Sequence, residues 1–151
     1  MKKMTAKILV AITCCVLVFG CKKNDNKGKF GLNLIDVNGT TFKNNETIIF
    51  NLEINHPNTE TINDKLFIRR KFFTCPNSNG LDSIAVPEYV STADLVASYE
   101  VKFVIGSNST YASPCSNGNR TDSLYYTFWL KDKNGNLTDS VTSPKIILKK
   151  G

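Results

Sequence analysis

The residues able to perform acid–base, nucleophilic or metal chemistry are few and scattered. The chain has one histidine, His56, placed before Pro57, and five cysteines, of which Cys75 and Cys115 stand alone in the body of the sequence. One histidine and two cysteines do not make a zinc site if the cysteines are bridged. A reactive thiol needs a base and a family signature, and neither adjoins these cysteines. Serines and threonines are plentiful, yet no G-x-S-x-G or S-x-x-K framing surrounds them. Asp82 and Glu88 could be imagined as a glycosidase pair, but no apolar pocket that would tune one of them as an acid is legible. Asp132, Asn134 and Asn136 offer oxygens at alternate positions. Gly135 and the missing terminal acid break the order of a calcium loop, so an Asx-stabilised turn is expected. No catalytic residue, metal ligand or cofactor is expected, and the protein is read as a non-enzyme.

Residues that could contact a ligand are easier to find. Arg69, Arg70 and Lys71 form the densest basic run, inside a predicted strand. Alternation sends Arg69 and Lys71 to one face and Arg70 to the other. The run suggests an edge strand protected by charge, or a bulge; the functional alternative is contact with an acidic glycan or phosphate. Tyr125 and Trp129 share the face opposite Tyr126 and Phe128, where an exposed pair could stack on sugar rings; partial burial is expected.

The N-terminus says where the chain goes. Lys2 and Lys3 precede an apolar run over residues 8–19, followed by Gly20 and Cys21. This is the layout of a secretory signal peptide. The run is about a dozen residues long, whereas a spanning helix needs roughly 20. Removing residues 1–20 takes away three lysines and no acid, leaving 16 basic against 13 acidic residues, a net charge of +3. That gives no footprint for nucleic-acid binding. An exported chain matures where disulfides persist, so Cys75 and Cys115 are expected to pair. A bridge closing about 40 residues would stabilise by roughly 4 kcal/mol on the chain-entropy model.

The elements that must position these residues are strands. Residues 21–29 are polar and aperiodic and read as a flexible tether, and residues 30–151 as one domain of ordinary size. Leu95, Ala97, Tyr99, Val101, Phe103 and Ile105 alternate with Ser98, Glu100 and Lys102. Leu124, Tyr126, Phe128 and Leu130 alternate with Tyr125, Thr127 and Trp129, and Ile48, Phe50, Leu52 and Ile54 with Ile49, Asn51 and Glu53. Further strands are expected over 30–37, 65–74 and 145–149, with a weaker one over 84–90 interrupted by Pro87. Asn38-Gly39, Asn79-Gly80, Asn117-Gly118 and Asn134-Gly135 read as turns that tolerate positive φ. About seven short strands predict an all-β, antiparallel sandwich of the immunoglobulin or fibronectin type III kind. If strands alternate in direction, the loops at 38–46, 75–83 and 106–122 share one end, opposite the tether.

Gly20-Cys21 after Leu17-Val18-Phe19 resembles the lipobox of bacterial lipoproteins, which implies a lipid-modified Cys21 as the mature N-terminus and anchorage in the outer membrane of the cell envelope. The stretch LYYTFWLKDKNGNLTDSVTSPKI, beginning at Leu124, resembles the closing strands of immunoglobulin-like domains in small Bacteroidota lipoproteins. Those domains carry an acidic, glycine-rich loop after the second strand. Here that place reads NHPNTETIND, so no calcium role is expected. Asp82-Ser83-Ile84, Asp122-Ser123-Leu124 and Asp139-Ser140-Val141 resemble the O-glycosylation acceptor motif of exported proteins of that lineage, marking Ser83, Ser123 and Ser140. The tether, beginning Lys22-Lys23, departs from the acid-rich surface-export tags of similar lipoproteins, so the leaflet stays open. The expected role is lipid-anchored binding or structural association, with a glycan or an envelope protein as partner. Its alternatives are an inhibitor or enzyme accessory module acting through distal loops and, least supported, a carbohydrate-active or peptidase enzyme.

Overall fold

In the computed structural model the described residues are 29–57, 61–62, 64–73, 75, 78–90, 95–106 and 121–149. Cys21, Cys115 and Asn117-Gly118 lie outside them. The described chain is all β, without an α-helix. Strands β1 (Gly31–Val37), β3 (Thr47–His56) and β8 (Leu95–Val104) form an antiparallel sheet in the order β1-β3-β8. A second sheet is ordered β2-β11-β9-β5-β6, from β2 (Thr41–Lys43), β11 (Ile146–Lys149), β9 (Thr121–Lys131), β5 (Lys65–Phe72) and β6 (Gly80–Ala85), with β10 (Val141–Thr142) also on β9. A short pair joins β4 (Thr61–Ile62) to β7 (Tyr89–Val90).

The two large sheets bury one shared core because β5, β8 and β9, and β3 as far as Ile54, turn alternate residues inward. Ile48, Phe50, Leu52 and Ile54 from one sheet meet Leu66, Ile68, Leu124, Tyr126, Phe128 and Leu130 from the other, all essentially inaccessible to water. Phe50 sits at the centre, its ring 5.0 Å from those of both Tyr126 and Phe128. Burial raises the Tyr126 phenol well above its ordinary pKa, with only partial relief from the Arg70 cation.

Three expectations need correction. The larger sheet is mixed, not wholly antiparallel: β2 runs parallel to β11, with Phe42 opposite Leu148. Three residues are too few to show a period, so this strand was not legible. Strand β5 is not an edge, since β9 and β6 flank it. Its basic run is tolerated because Arg70, which points inward, meets Asp82 of β6 at 3.3 Å. Finally, the Asn-Gly pairs are not all positive-φ turns. Only Gly135 has positive φ among the described glycines, at 91°. Asn38 instead extends the β1–β3 ladder through its side chain, accepting from Ile49 N–H at 2.8 Å and donating to Thr47 O at 2.9 Å. A Cβ at Gly80 would meet the Arg70 guanidinium, which would have to shift to admit it.

Residues 141–149 are in effect one strand broken at Ser143-Pro144. Proline has no N–H to offer. Ser143 bridges the break, donating its backbone N–H to Tyr126 O at 2.8 Å while its hydroxyl oxygen accepts from Tyr126 N–H at 3.1 Å. Thr138 repeats the device, donating N–H to Leu130 O at 3.1 Å and accepting from Leu130 N–H on its hydroxyl at 3.0 Å. These contacts hold 137–143 beside β9, where they form the wall of a hollow.

Candidate functional site

The outer face of the larger sheet is built by the residues that β5 and β9 turn away from the core. Register places Phe67 opposite Trp129, Arg69 opposite Thr127 and Lys71 opposite Tyr125. Directly opposed side chains interact most closely in an antiparallel pair. Phe67 and Trp129 accordingly stack, with centroids 5.5 Å apart and planes 8° from parallel. Arg69 lies diagonally across, its guanidinium 5.1 Å from the centre of the Trp129 ring. Contacts of these two kinds contribute about 0.5–1.5 and 0.5–1 kcal/mol respectively at exposed sites. Their greater consequence is that three side chains with rotamer freedom are held in one arrangement. Arg69 is exposed and makes no ion pair among the described residues.

Beside this cluster lies an open hollow of about 320 Å³ lined by Arg69, Thr127, Trp129, Leu137, Asp139 and Ser140, with Thr138 behind them. Its walls combine an aromatic face, one cation, one carboxylate and hydroxyls. Further along, Tyr125 meets Phe73 edge-on at 5.0 Å, and the Lys145 ammonium stands 5.1 Å from the centre of the Phe73 ring. Phe73, Leu81 and Leu137 are each at least half exposed. The face therefore carries two aromatic patches about four strand residues apart, roughly 13 Å, with Arg69 and Lys71 between them.

All four residues expected to contact a ligand, Arg69, Lys71, Tyr125 and Trp129, share this face. Tyr125 and Trp129 are half-buried, as expected. Phe67, Phe73 and the wall at 137–140 were missed; alternation already put Phe67 on the face of Arg69, but its pairing with Trp129 needed the register. Ser83 is exposed and opposite Phe67, Ser123 is half-buried on β9, and Ser140 lines the hollow. Their aspartates differ. Asp82 is tied to Arg70, Asp122 is buried, and Asp139 is exposed, so folding alone accounts for two of the three.

The other chemistry does not assemble. Asp82 points inward while Glu88 is exposed beyond β6. The turn at 132–136 closes on itself: Asp132 accepts from the Asn136 backbone and side-chain N–H groups, both at 2.7 Å. Its slight burial works the other way, but these donors, with the N–H groups of Asn134 and Gly135, hold its carboxyl below the usual range. His56 sits at the end where the described chain enters, edge-on to Phe30 at 5.3 Å and 4.0 Å from Asp64. Cys75 lies beyond β5 at the opposite end, half-buried against the core, and is held in a disulfide. Its expected partner Cys115 is outside the described residues.

No protein-family model matches the chain, and no curated protein matches it in sequence. Among solved structures it is similar to the alkylpurine DNA glycosylase AlkC of Pseudomonas fluorescens, bound to DNA containing an abasic site analogue, at 9% identity and a TM-score of 0.50. The match covers 81% of this chain and 31% of that one. It is also matched to Spo0M, the sporulation control protein of Bacillus subtilis, at 11% identity and a TM-score of 0.42, over 81% of this chain and 50% of the other. The chain thus spans half or less of the length of these structures, and the likeness concerns the fold.

Proposed function

We propose that this chain is a lipid-anchored protein of the cell envelope that binds an acid-bearing glycan on the outer face of its larger sheet. The observation that carries the reading is the Phe67–Trp129–Arg69 stack beside the 320 Å³ hollow. Sugar rings present apolar faces that pack on an aromatic platform, and a uronate carboxylate matches a guanidinium already held in place. Thr127 and Ser140 supply hydroxyls for the ring substituents. The hollow is open, and the Asp139 carboxylate stands with these hydroxyls as a further hydrogen-bond acceptor for a sugar. The anchor is proposed at Cys21, and the described chain enters at the end away from Cys75. The face then stands along the side of the domain, within reach of a polymer running past it.

An immunoglobulin-like architecture is proposed with it. Six strands of six residues or more, with β10–β11 acting as one, make seven principal strands in two sheets around one core. The chain crosses from one sheet to the other at β2, and the ends of β1, β5 and β8 lie together.

The test is titration of the detergent-extracted protein with uronic-acid oligosaccharides and their neutral counterparts. Preference for the acidic series is expected, with loss of at least tenfold in affinity on Trp129→Ala and loss of the preference on Arg69→Gln. Equal binding of both series by the Arg69→Gln variant and the parent, or no binding by the parent, would overturn the reading.

A further inference from the structure

Sheet edges offer unpaired backbone groups to any passing strand, and natural proteins blunt them. Three of the edges in this fold are blunted. Strand β2 has three residues, β1 has a bulge between Leu34 and Asp36, and β6 turns the charged Asp82 inward. Strand β8 is neither shortened, bulged nor lined by an inward charge, and its two outward charges, Glu100 and Lys102, offset each other. It is ten residues long, free of proline and bulges, and among the described residues no strand pairs with its outer side.

Hydrogen bonding shows which residues face that edge. Ile105 donates its N–H to Glu46 O, and on the other side of β3 Asn38 donates to Ile49 O. Alternate residues of a strand point their N–H and C=O groups to opposite sides. The odd-numbered residues of β8 therefore face β3, and Val96, Ser98, Glu100, Lys102 and Val104 face outward. The same five side chains are exposed on the sheet surface, with Val96 and Val104 more than half exposed. Glu100 and Lys102 hold each other at 2.6 Å in the centre of the row.

We propose that β8 pairs antiparallel with β8 of a second copy of this chain, about a two-fold axis at Val101, joining two three-stranded sheets into one of six. At this register Glu100 lies opposite Lys102 of the second copy, and the symmetry repeats the pair. Both residues have edge-facing backbone groups, so each opposed pair exchanges two hydrogen bonds. The two adjacent registers that preserve this hydrogen-bonding parity place Glu100 opposite Glu100 or Lys102 opposite Lys102. Like charges directly opposed are destabilising, so the charge order selects the one register and favours a second copy as occupant. The pairing uses the sheet opposite the Trp129 face and stands apart from ligand binding.

The experiment is light scattering and sedimentation of the full chain extracted in detergent. A species of two protein chains is expected. Glu100→Lys and Lys102→Glu should each weaken association by about tenfold, because two cross-strand pairs per dimer turn repulsive. Mixing the two variants should restore association as a heterodimer, since all four charges then oppose correctly. Ser98→Pro removes an edge-facing N–H without touching the β3 ladder, and should give a monomer with unchanged strand content. A parent that stays monomeric through the micromolar range would overturn the proposal, as would a dimer indifferent to the charge exchanges. Were Ser98→Pro unable to fold, the mixed charge variants would still decide.

Discussion

Asp82→Ala should destabilise the domain by about 2 kcal/mol. Arg70 lies on the inward side of β5 with 11% of its side chain exposed, and Asp82 meets it at 3.3 Å with 25% exposed. Breaking a fully buried ion pair by removing one partner costs about 3–5 kcal/mol, whereas exposed pairs contribute about 0–1. The partial exposure of Asp82 puts this pair between the two. The contact is a charge contact more than an aligned hydrogen bond, since Asp82 Oδ2 has no hydrogen-bond partner among the described residues. For a domain of about 120 residues, 2 kcal/mol corresponds to a fall in Tm of about 6–10 °C. Trp129, the single tryptophan, reports unfolding by fluorescence through its stack on Phe67. Replacing both partners by apolar residues, Arg70→Met with Asp82→Leu, should recover most of the loss, because no charge is then left enclosed. A Tm for Asp82→Ala within 2 °C of the parent would refute this reasoning. So would a double variant no more stable than the single one.

Two further outcomes are expected. Burial raises the Asp64 carboxyl above its ordinary value of 3.8, with Asp132 adding to it and His56 opposing, and Oδ2 is buried without a hydrogen-bond partner. A raised folded-state pKa contributes stability that is present below 3.8 and lost as pH rises through the raised value. Asp64→Asn should therefore raise Tm at pH 7 and lose that advantage below pH 4, which thermal melts across pH 3–8 would show; a gain independent of pH contradicts the assignment. Mass spectrometry of the membrane-extracted chain under non-reducing conditions should find an acylated N-terminal Cys21 and a cross-linked peptide joining Cys75 to Cys115. An unmodified N-terminus or a free Cys115 thiol would remove the anchor or the pairing.

Period-two alternation by itself determined the long strands and which side of each is buried, because a strand alternates its side chains whatever it pairs with. It separated Arg69 and Lys71 from Arg70, and Tyr125 and Trp129 from Tyr126 and Phe128, before any neighbour was known. Neighbours belong to the register, which depends on contacts between residues far apart in the chain. Only the tertiary structure put Phe67 beneath Trp129, Asp82 beside Arg70 and the hollow wall at 137–140 along β9. The serines and threonines make the same point. Read for nucleophiles, they showed nothing. Ser143 and Thr138 prove to be ladder groups, their hydroxyls accepting the Tyr126 and Leu130 N–H groups. A buried N–H must find an acceptor, but the chain alone does not say which one, since the partner is chosen by the fold.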